Sequence, residues 1–225
     1  MKSAVIFGGS GFLGSYVADE LTLRGYDVTI ADIFESDYLQ DKQKFKKVDI
    51  LNIQKIKEIL EGVSIVFNFS AIAELEEAEK NPFKTFQVNV LGNLNVLEAC
   101  TQVGNVDRFI YASSAYALSN DGSFYGISKQ SSERLTEEYY KKCGLKYTVI
   151  RYGSLYGNRA SHNNYIYNLL KNAILNKELN YKGDGQDIRE YIHAADSAKL
   201  SVDILEDEQY ENKHVILTGV ERLKR

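Results

Sequence analysis

The sequence predicts an α/β fold with a doubly wound parallel sheet. Two observations carry that expectation. Short apolar runs alternate with segments of helical periodicity over residues 1–150, and such alternation implies right-handed crossovers between parallel strands. The first apolar run, Val5-Ile6-Phe7, enters a turn with glycine at positions 8, 11 and 14, and an amphipathic segment with Leu13, Val17 and Leu21 follows at once. This is a strand, a tight turn and a helix start, the arrangement that presents free N–H groups to an anion.

Each glycine has its own reason. Gly8 permits the sharp reversal, Gly11 lets a pyrophosphate approach the main chain, and Gly14 lets the helix pack closely on the strand. The second strand, 27–32, ends in Asp32, which lies 32 − 14 = 18 residues after Gly14. That is close to the spacing expected of a carboxylate accepting from an adenosine ribose. The bland alternative is a structural glycine turn with a surface aspartate.

Strands are expected at 3–8, 27–32, 44–48, 63–69, 107–112 and 146–151, and helices at 12–24, 52–61, 82–102 and 125–143. Asp49-Ile50 follows the third strand, and Phe69-Ser70-Ala71 leaves the fourth. Ligands sit outside the carboxyl ends of such strands, so these positions can face a cofactor. Asp49 reads equally as a helix-capping group, by itself or through Asn52. The only proline, Pro82, fits the first turn of a long helix with Asn81 as N-cap. Asn89 within that helix is either an exposed surface residue or one that points into the site, holding the lysine discussed below or a water. Beyond 151 the pattern is less regular: helix at 163–176, a turn at Lys182–Gln186, helix at 196–205 and a strand near Val215–Gly219.

Hydrophobic residues make up 44% and charged residues 26%, with net charge −4 and no long basic stretch. Nucleic acid is therefore not an expected partner. No run approaches the ~18 apolar residues of a membrane span. Cys100 and Cys143 lack metal-ligand spacing and read as free thiols of a reducing cytoplasm. The three histidines are scattered, so no metal site is expected.

The second informative stretch is Tyr125-Gly126-Ile127-Ser128-Lys129. Spacing of four puts Tyr125 and Lys129 on one helix face. A phenol near pKa 10 is a poor base at neutral pH, and a neighbouring ammonium is expected to lower it. Tyr125 can then exchange a proton with a substrate hydroxyl while a nicotinamide exchanges hydride at the same carbon. Strand-end Ser113-Ser114 offers a hydroxyl to the same oxygen.

With these motifs in view, the chain resembles extended short-chain dehydrogenases/reductases of the nucleotide-sugar epimerase/dehydratase group. The match includes Gly8 to Gly14, Asp32, Asp49-Ile50, Asn89, Tyr111 to Ser114, Tyr125-x-x-x-Lys129, Arg151 to Gly157 and Gly183 to His193. The resemblance implies a Rossmann-type sheet over 1–160, with strands and helices continuing after 190, and a small, apparently truncated substrate lobe over 161–225. It implies Tyr125 as general base, Lys129 as ribose ligand and Ser114 as the group polarising the sugar oxygen. NAD contacts are implied at Gly8, Gly11, Phe12, Leu13, Gly14, Asp32, Asp49, Ile50, Phe69, Ser70, Ala71, Asn89, Tyr125, Lys129 and Tyr152, with Tyr152 near the nicotinamide. Substrate contacts are implied at Ser154 and Arg189; the physical alternative for Arg189 is a salt bridge with Glu190 or Asp187. The activity implied is an NAD-dependent epimerase of nucleotide-diphosphate sugars, acting at C4 through a 4-keto sugar. A keto-sugar reductase or dehydrogenase, and a non-catalytic dinucleotide sensor, are the alternatives.

The chain departs from the family in several places. Phe7 stands where threonine is frequent. Ala115-Tyr116 replaces the Asp-Glu pair of sugar 4,6-dehydratases, so elimination of water is not expected. Only 125 − 114 = 11 positions separate Ser114 from Tyr125, a short segment in which Ala117-Leu118-Ser119 replaces a Val-Tyr-Gly turn. Similar enzymes usually run well beyond 225 residues. A homodimer is expected through helices 82–102 and 125–143, with Leu135 and Tyr139 contributing to an apolar outer face; the alternative packs that face on its own sheet.

Overall fold

The computed structural model describes residues 2–161, 164–179, 186 and 188–224. In chain order the elements are β1 (Ser3–Phe7), α1 (Phe12–Leu23), β2 (Asp27–Asp32), β3 (Lys44–Lys47), α2 (Ile53–Leu60), β4 (Ile65–Asn68), α3 (Leu75–Lys80) and α4 (Pro82–Phe86). A π-helical stretch (Gln87–Gly92) leads into α5 (Asn93–Val103) and β5 (Arg108–Ser114). Two 3-10 turns precede α6 (Ser123–Cys143), followed by β6 (Tyr147–Tyr152), β7 (Ser154–Tyr156), α7 (Tyr165–Asn176), β8 (Ile188–His193), α8 (Ala194–Glu206), β9 (Lys213–Leu217) and β10 (Arg222–Lys224).

Seven strands form one parallel sheet in the order β3-β2-β1-β4-β5-β6-β9. Side chains alternate across it with period two, and β1 shows the consequence. Ala4 and Ile6 enter the core under α1 and α8, whereas Val5 and Phe7 enter the opposite core under α2 and α5. Both faces are covered, so β1, β4 and β5 read as unbroken apolar runs rather than alternating ones. Phe7, the departure noted before the first glycine, is one of these core residues and 1% exposed. A second sheet, β10-β8-β7, lies outside the first.

The sheet grows outward from β1 in both directions. β2 and β3 lie on one side, β4 and the later strands on the other. The loops after β1 and β4 therefore diverge, leaving a crevice at their carboxyl ends. Those two loops are the glycine turn and Phe69–Ala71.

The structure corrects several expectations. The helix expected at 82–102 is α4, the π-helical stretch and α5 in succession. Pro82 does occupy its first turn, but the Asn81 side chain does not cap it; its amide donates to Glu77 Oε1 at 2.7 Å, on a helix, α3, that periodicity did not reveal. The strands β7, β8 and β10 were also not anticipated. Lys182 to Gly185 of the expected turn, with Gly183 to Gly185 of the matching motif, Asp187 and His162, lie outside the described residues. Among the described residues no helix is long and apolar enough to cross a membrane, and no cluster of three His, Cys, Asp or Glu side chains could hold a metal ion. Cys100 is buried in α5 and Cys143 exposed at the end of α6; both are free.

Candidate active site

The glycine turn is built so tightly that two of its glycines are obligatory. Gly8 has φ +74°, and a Cβ there would lie 2.6 Å from the Ser70 backbone nitrogen. At Gly14 a Cβ would lie 2.3 Å from the Gly8 carbonyl. Gly11 differs: its Cβ would meet only the Gly8 carbonyl, at 3.3 Å. The space over Gly11 is thus open, as the approach of an anion requires. Gly11 is also the N-cap of α1 and makes no side-chain cap, so the first N–H groups of the helix face that opening. Phe12 packs edge-on to Tyr16, and Leu13 points into the core.

Asp32 closes the other end of the crevice. Its carboxylate accepts from Ser10 N at 3.1 Å and Ile33 N at 2.7 Å, which locks β2 to the glycine turn. Burial pushes this carboxyl upward, and the backbone donors oppose that shift. Backbone donors from Ser10, Ile33 and Phe34 still leave acceptor capacity for a ribose diol. This geometry fits a dinucleotide: an open cradle for pyrophosphate, and an acceptor carboxylate beyond it.

On the other side of the crevice a buried polar ladder ties the β4 loop to the helices. Asn68 Nδ2 donates to Asn93 Oδ1 at 2.8 Å, and Ser70 N donates to Asn68 Oδ1. Asn89 is 1% exposed, which removes its reading as a surface residue. Its amide accepts from Ile72 N at 2.8 Å and donates to Ile72 O and to Ser128 Oγ at 2.9 Å. Asn89 therefore braces the loop against α6, and the described bonds do not run to Lys129. It sits in the π-helical stretch, whose extra residue per turn turns this side chain inward; such bulges recur at functional sites. Phe69 stacks on Phe67, and Ala71 is half-buried beside it. Ile50 is buried where Gly92 leaves room for its side chain. Asp49 is exposed and bonds Leu51 N, while the cap of α2 is Asn52, which accepts from Lys55 N.

Ser114, Tyr125 and Lys129 meet at the carboxyl end of β5. The Ser114 side chain favours the charged form of the Tyr125 phenol, and its hydroxyl accepts from Tyr116 N at 3.2 Å. Lys129 Nζ donates to the Ala112 carbonyl at 2.7 Å and lies 5.7 Å from the Tyr125 ring centre and 5.0 Å from that of Tyr111. One expectation is overturned here. Tyr125 is pushed up to about 12, mainly by burial, against the help of Ser114. Lys129 is pushed down to about 7, also by burial, with only Glu133 holding it up. Desolvation acts against charge on both groups and is the largest influence on each.

Tyr152 is buried; its hydroxyl bonds Ser201 of α8 at 2.7 Å and its ring leans on Phe69. Ser154 lies in β7, paired with Tyr191 of β8. Arg189 lies in β8 with its guanidinium 5.9 Å from the Tyr116 ring, and Tyr116 meets Tyr125 edge-on. The described ion pair of Glu190 is with Arg222, at 2.9 Å. Sequence reading gave no role to Asn68, to Ser128, to Ser132, whose hydroxyl donates to the Asn89 carbonyl at 2.8 Å, or to Glu133. Glu133 carried a signal, since it follows Lys129 by four and shares its helix face.

Residues 4–219 match the model of the NAD dependent epimerase/dehydratase family. A UDP-glucose 4-epimerase of Lactobacillus helveticus is 29% identical over 231 residues, covering 87% of this chain and 69% of that protein. A UDP-N-acetyl-alpha-D-glucosaminuronate decarboxylase of Bacillus cytotoxicus is 26% identical, covering 98% of this chain and 75% of the relative. Among solved structures, the UDP-glucose 4-epimerase of Thermotoga maritima with UDP-glucose superposes with a TM-score of 0.90 at 25% identity, over 99% of this chain and 78% of that one.

Proposed function

This chain belongs to the NAD dependent epimerase/dehydratase family, and from that premise we propose that it is a nucleotide-sugar epimerase working at C4 through a 4-keto sugar. The observation that carries the reading is the Ser114–Tyr125–Lys129 cluster, buried at the carboxyl end of the sheet on which the glycine turn and Asp32 form an open dinucleotide cradle. UDP-glucose 4-epimerases among the similar proteins support the C4 assignment.

The Gly8–Gly14 turn, Asp32, Phe69–Ala71 and Lys129 would hold NAD, which would supply a reversible hydride acceptor. Tyr125 Oη takes the proton of the sugar C4 hydroxyl and later returns it. Ser114 Oγ donates to the same sugar oxygen, so the proton moves within one hydrogen-bonded group. Lys129 supports charge on the phenol. Asp49, Ile50, Asn89 and Tyr152 serve as the supporting wall. Ala115 and Tyr116 provide no acid–base pair for eliminating water. Residues 161–225 include α7, β8 and β10, which with β7 form the substrate side; Ser154 and Arg189 meet the sugar and the diphosphate there.

We assign the dimer contact to α4, the π-helical stretch and α6. Phe83, Leu91 and Ile127 are exposed apolar residues on these elements. Leu135 and Tyr139 are half-buried against their own core, and Tyr139 bonds Glu98 at 2.7 Å. Light scattering is expected to give twice the monomer mass. The free thiols and the absence of a span among the described residues favour the cytoplasm. The deciding experiment incubates the protein and NAD with a panel of nucleotide-diphosphate sugars and reads product stereochemistry. Inversion at C4 without net NADH supports the epimerase; stoichiometric NADH release makes it a dehydrogenase; binding without turnover makes it a sensor.

A further inference from the structure

The ammonium of Lys129 is buried against an aromatic ring to which the preceding reading gives no role. Lys129 is 3% exposed and Tyr111 is 1% exposed. Lys129 Nζ lies over the Tyr111 ring, 5.0 Å from its centre, and 5.7 Å from the centre of the Tyr125 ring. A cation within about 6 Å of a ring centre is attracted by the negative face of the ring, most strongly where both are withdrawn from water. A buried ammonium is costly unless its charge is compensated. Among the described residues its hydrogen bond runs to the Ala112 carbonyl, at 2.7 Å, and that acceptor is neutral.

The sheet fixes this ring. Tyr111 lies in β5 opposite Asn68 of β4 and Val149 of β6, so its backbone is held from both sides. Alternation along the strand sends Tyr111 and Ser113 to one face. That face is covered by α5 and α6, and Ser113 bonds Glu133 of α6. Lys129 descends onto it from the same helix. The strand thus offers the ammonium a ring face and, from the next residue, a carbonyl oxygen. We propose that Tyr111 is a positioning residue of the reaction: its ring face holds the Lys129 ammonium in place and in its charged form, beside the Tyr125 phenol. This rests on the reading of Tyr125 and Lys129 as the proton-transfer pair.

The titratable and charged neighbours are few. Lys129 is faced by Tyr125 and Glu133 from α6 and by Tyr111 from β5. Glu133 is itself engaged by Arg151 of β6, through two hydrogen bonds at 2.9 and 2.6 Å, and by His214 of β9. Glu74 and Tyr116 act on Tyr125. Burial pushes Lys129 down to about 7, so its charged fraction at neutral pH responds to whatever favours the ammonium. Burial also pushes the Tyr111 phenol upward. Tyr111 therefore stays neutral, and it favours the ammonium without setting a net charge against the phenol of Tyr125.

Tyr111→Leu would open a cavity in the core as well as remove the ring, so the test keeps the ring and changes its charge distribution. Tyr111→Phe is compared with chains carrying mono-, di- or trifluorinated phenylalanine at the same position. Each fluorine weakens the negative face at nearly constant shape, and none of these rings titrates. Lys129 is titrated by NMR in 13C-lysine-labelled protein without added NAD, its signal identified by loss in Lys129→Met. The midpoint is expected to fall step by step along the series, to about one pH unit below Tyr111→Phe for the trifluorinated ring. A flat series means that the ring only fills space and overturns the proposal, as does a rise. Turnover at neutral pH is measured with NAD and the sugar that the panel identifies. There kcat should fall with the midpoint, up to about tenfold, with KM within about twofold because the buried ring does not reach the sugar. A midpoint that falls while kcat holds overturns the role in the reaction. If the midpoints follow the series but no sugar is turned over, the hold on Lys129 stands and the epimerase reading falls.

Discussion

Replacing single glycines of the turn separates a dinucleotide cradle from a merely structural turn. Gly8→Ala forces a Cβ-bearing residue to φ +74° and drives that carbon to 2.6 Å from Ser70 N and 2.7 Å from Phe69 C, both backbone atoms. The left-handed conformation costs about 1–2 kcal/mol, and displacing the β4 loop about 1–3 kcal/mol more. The sum is roughly 3 kcal/mol, which for a chain of this size lowers Tm by about 6–12 °C. Gly11→Ala behaves differently. Its φ of −77° and ψ of −179° suit any residue, and the added carbon meets only the Gly8 carbonyl at 3.3 Å. Reduced freedom of the unfolded chain offsets this contact by about 0.4–1 kcal/mol, so Tm should stay within about 3 °C. The added methyl nonetheless occupies the open approach above the helix N-terminus. NAD affinity should then fall at least ~10-fold, a loss of about 1.4 kcal/mol. Thermal unfolding and calorimetric titration with NAD on both variants provide the assay. A Gly11→Ala protein that binds NAD like the wild type would refute the cradle, and a Gly8→Ala protein of unchanged Tm would refute the packing argument.

Three further outcomes are expected. NAD should bind more tightly than NADP in calorimetry, because Asp32 would repel a 2′-phosphate and Ile33, Phe34 and Glu35 offer it no cation; Asp32→Ala should relax the preference. Tyr125→Phe should cut turnover by a factor of about 10² to 10⁴ while leaving NAD affinity nearly intact; Lys129→Met should lose most NAD affinity, and Ser114→Ala should reduce turnover less because a water partly replaces its hydroxyl. Full activity of Tyr125→Phe would mean another base. Glu133 is held down to about 2 by Arg151, His214 and Ser113 against its burial. A carboxyl whose folded value lies below its unfolded value stabilises the protein above the unfolded value, and that stability drains away as pH falls from about 4.5 to about 2. The loss is on the order of 3 kcal/mol, and denaturation of Glu133→Gln should show a flatter pH dependence over that window; equal slopes would contradict it.

What could be read from the residues alone was what short-range chemistry encodes. The glycine turn, the acid at the end of β2 and the Tyr125/Lys129 pair each lie within one turn or one element. Their spacing therefore predicts their geometry, and the alternation of apolar runs with helical periods predicts a sheet covered on both faces. Three features of the fold and site could not be read this way. The strands β7 and β10 have three residues each, and β8, though six residues long, has only Ile192 buried, so none of the three carries a strong pattern. Asn89 looked like either a surface or a site residue until the π-helical turn and the loop at Ile72 buried it. The direction in which Tyr125 titrates also reversed the expectation. Sequence spacing reports that an ammonium is near a phenol. Desolvation depends on every chain segment packed around them, and Glu133 acquires its partners from β5, β6 and β9, as many as 81 positions away. Only the tertiary structure sums those contributions, because burial and charge act through space rather than along the chain.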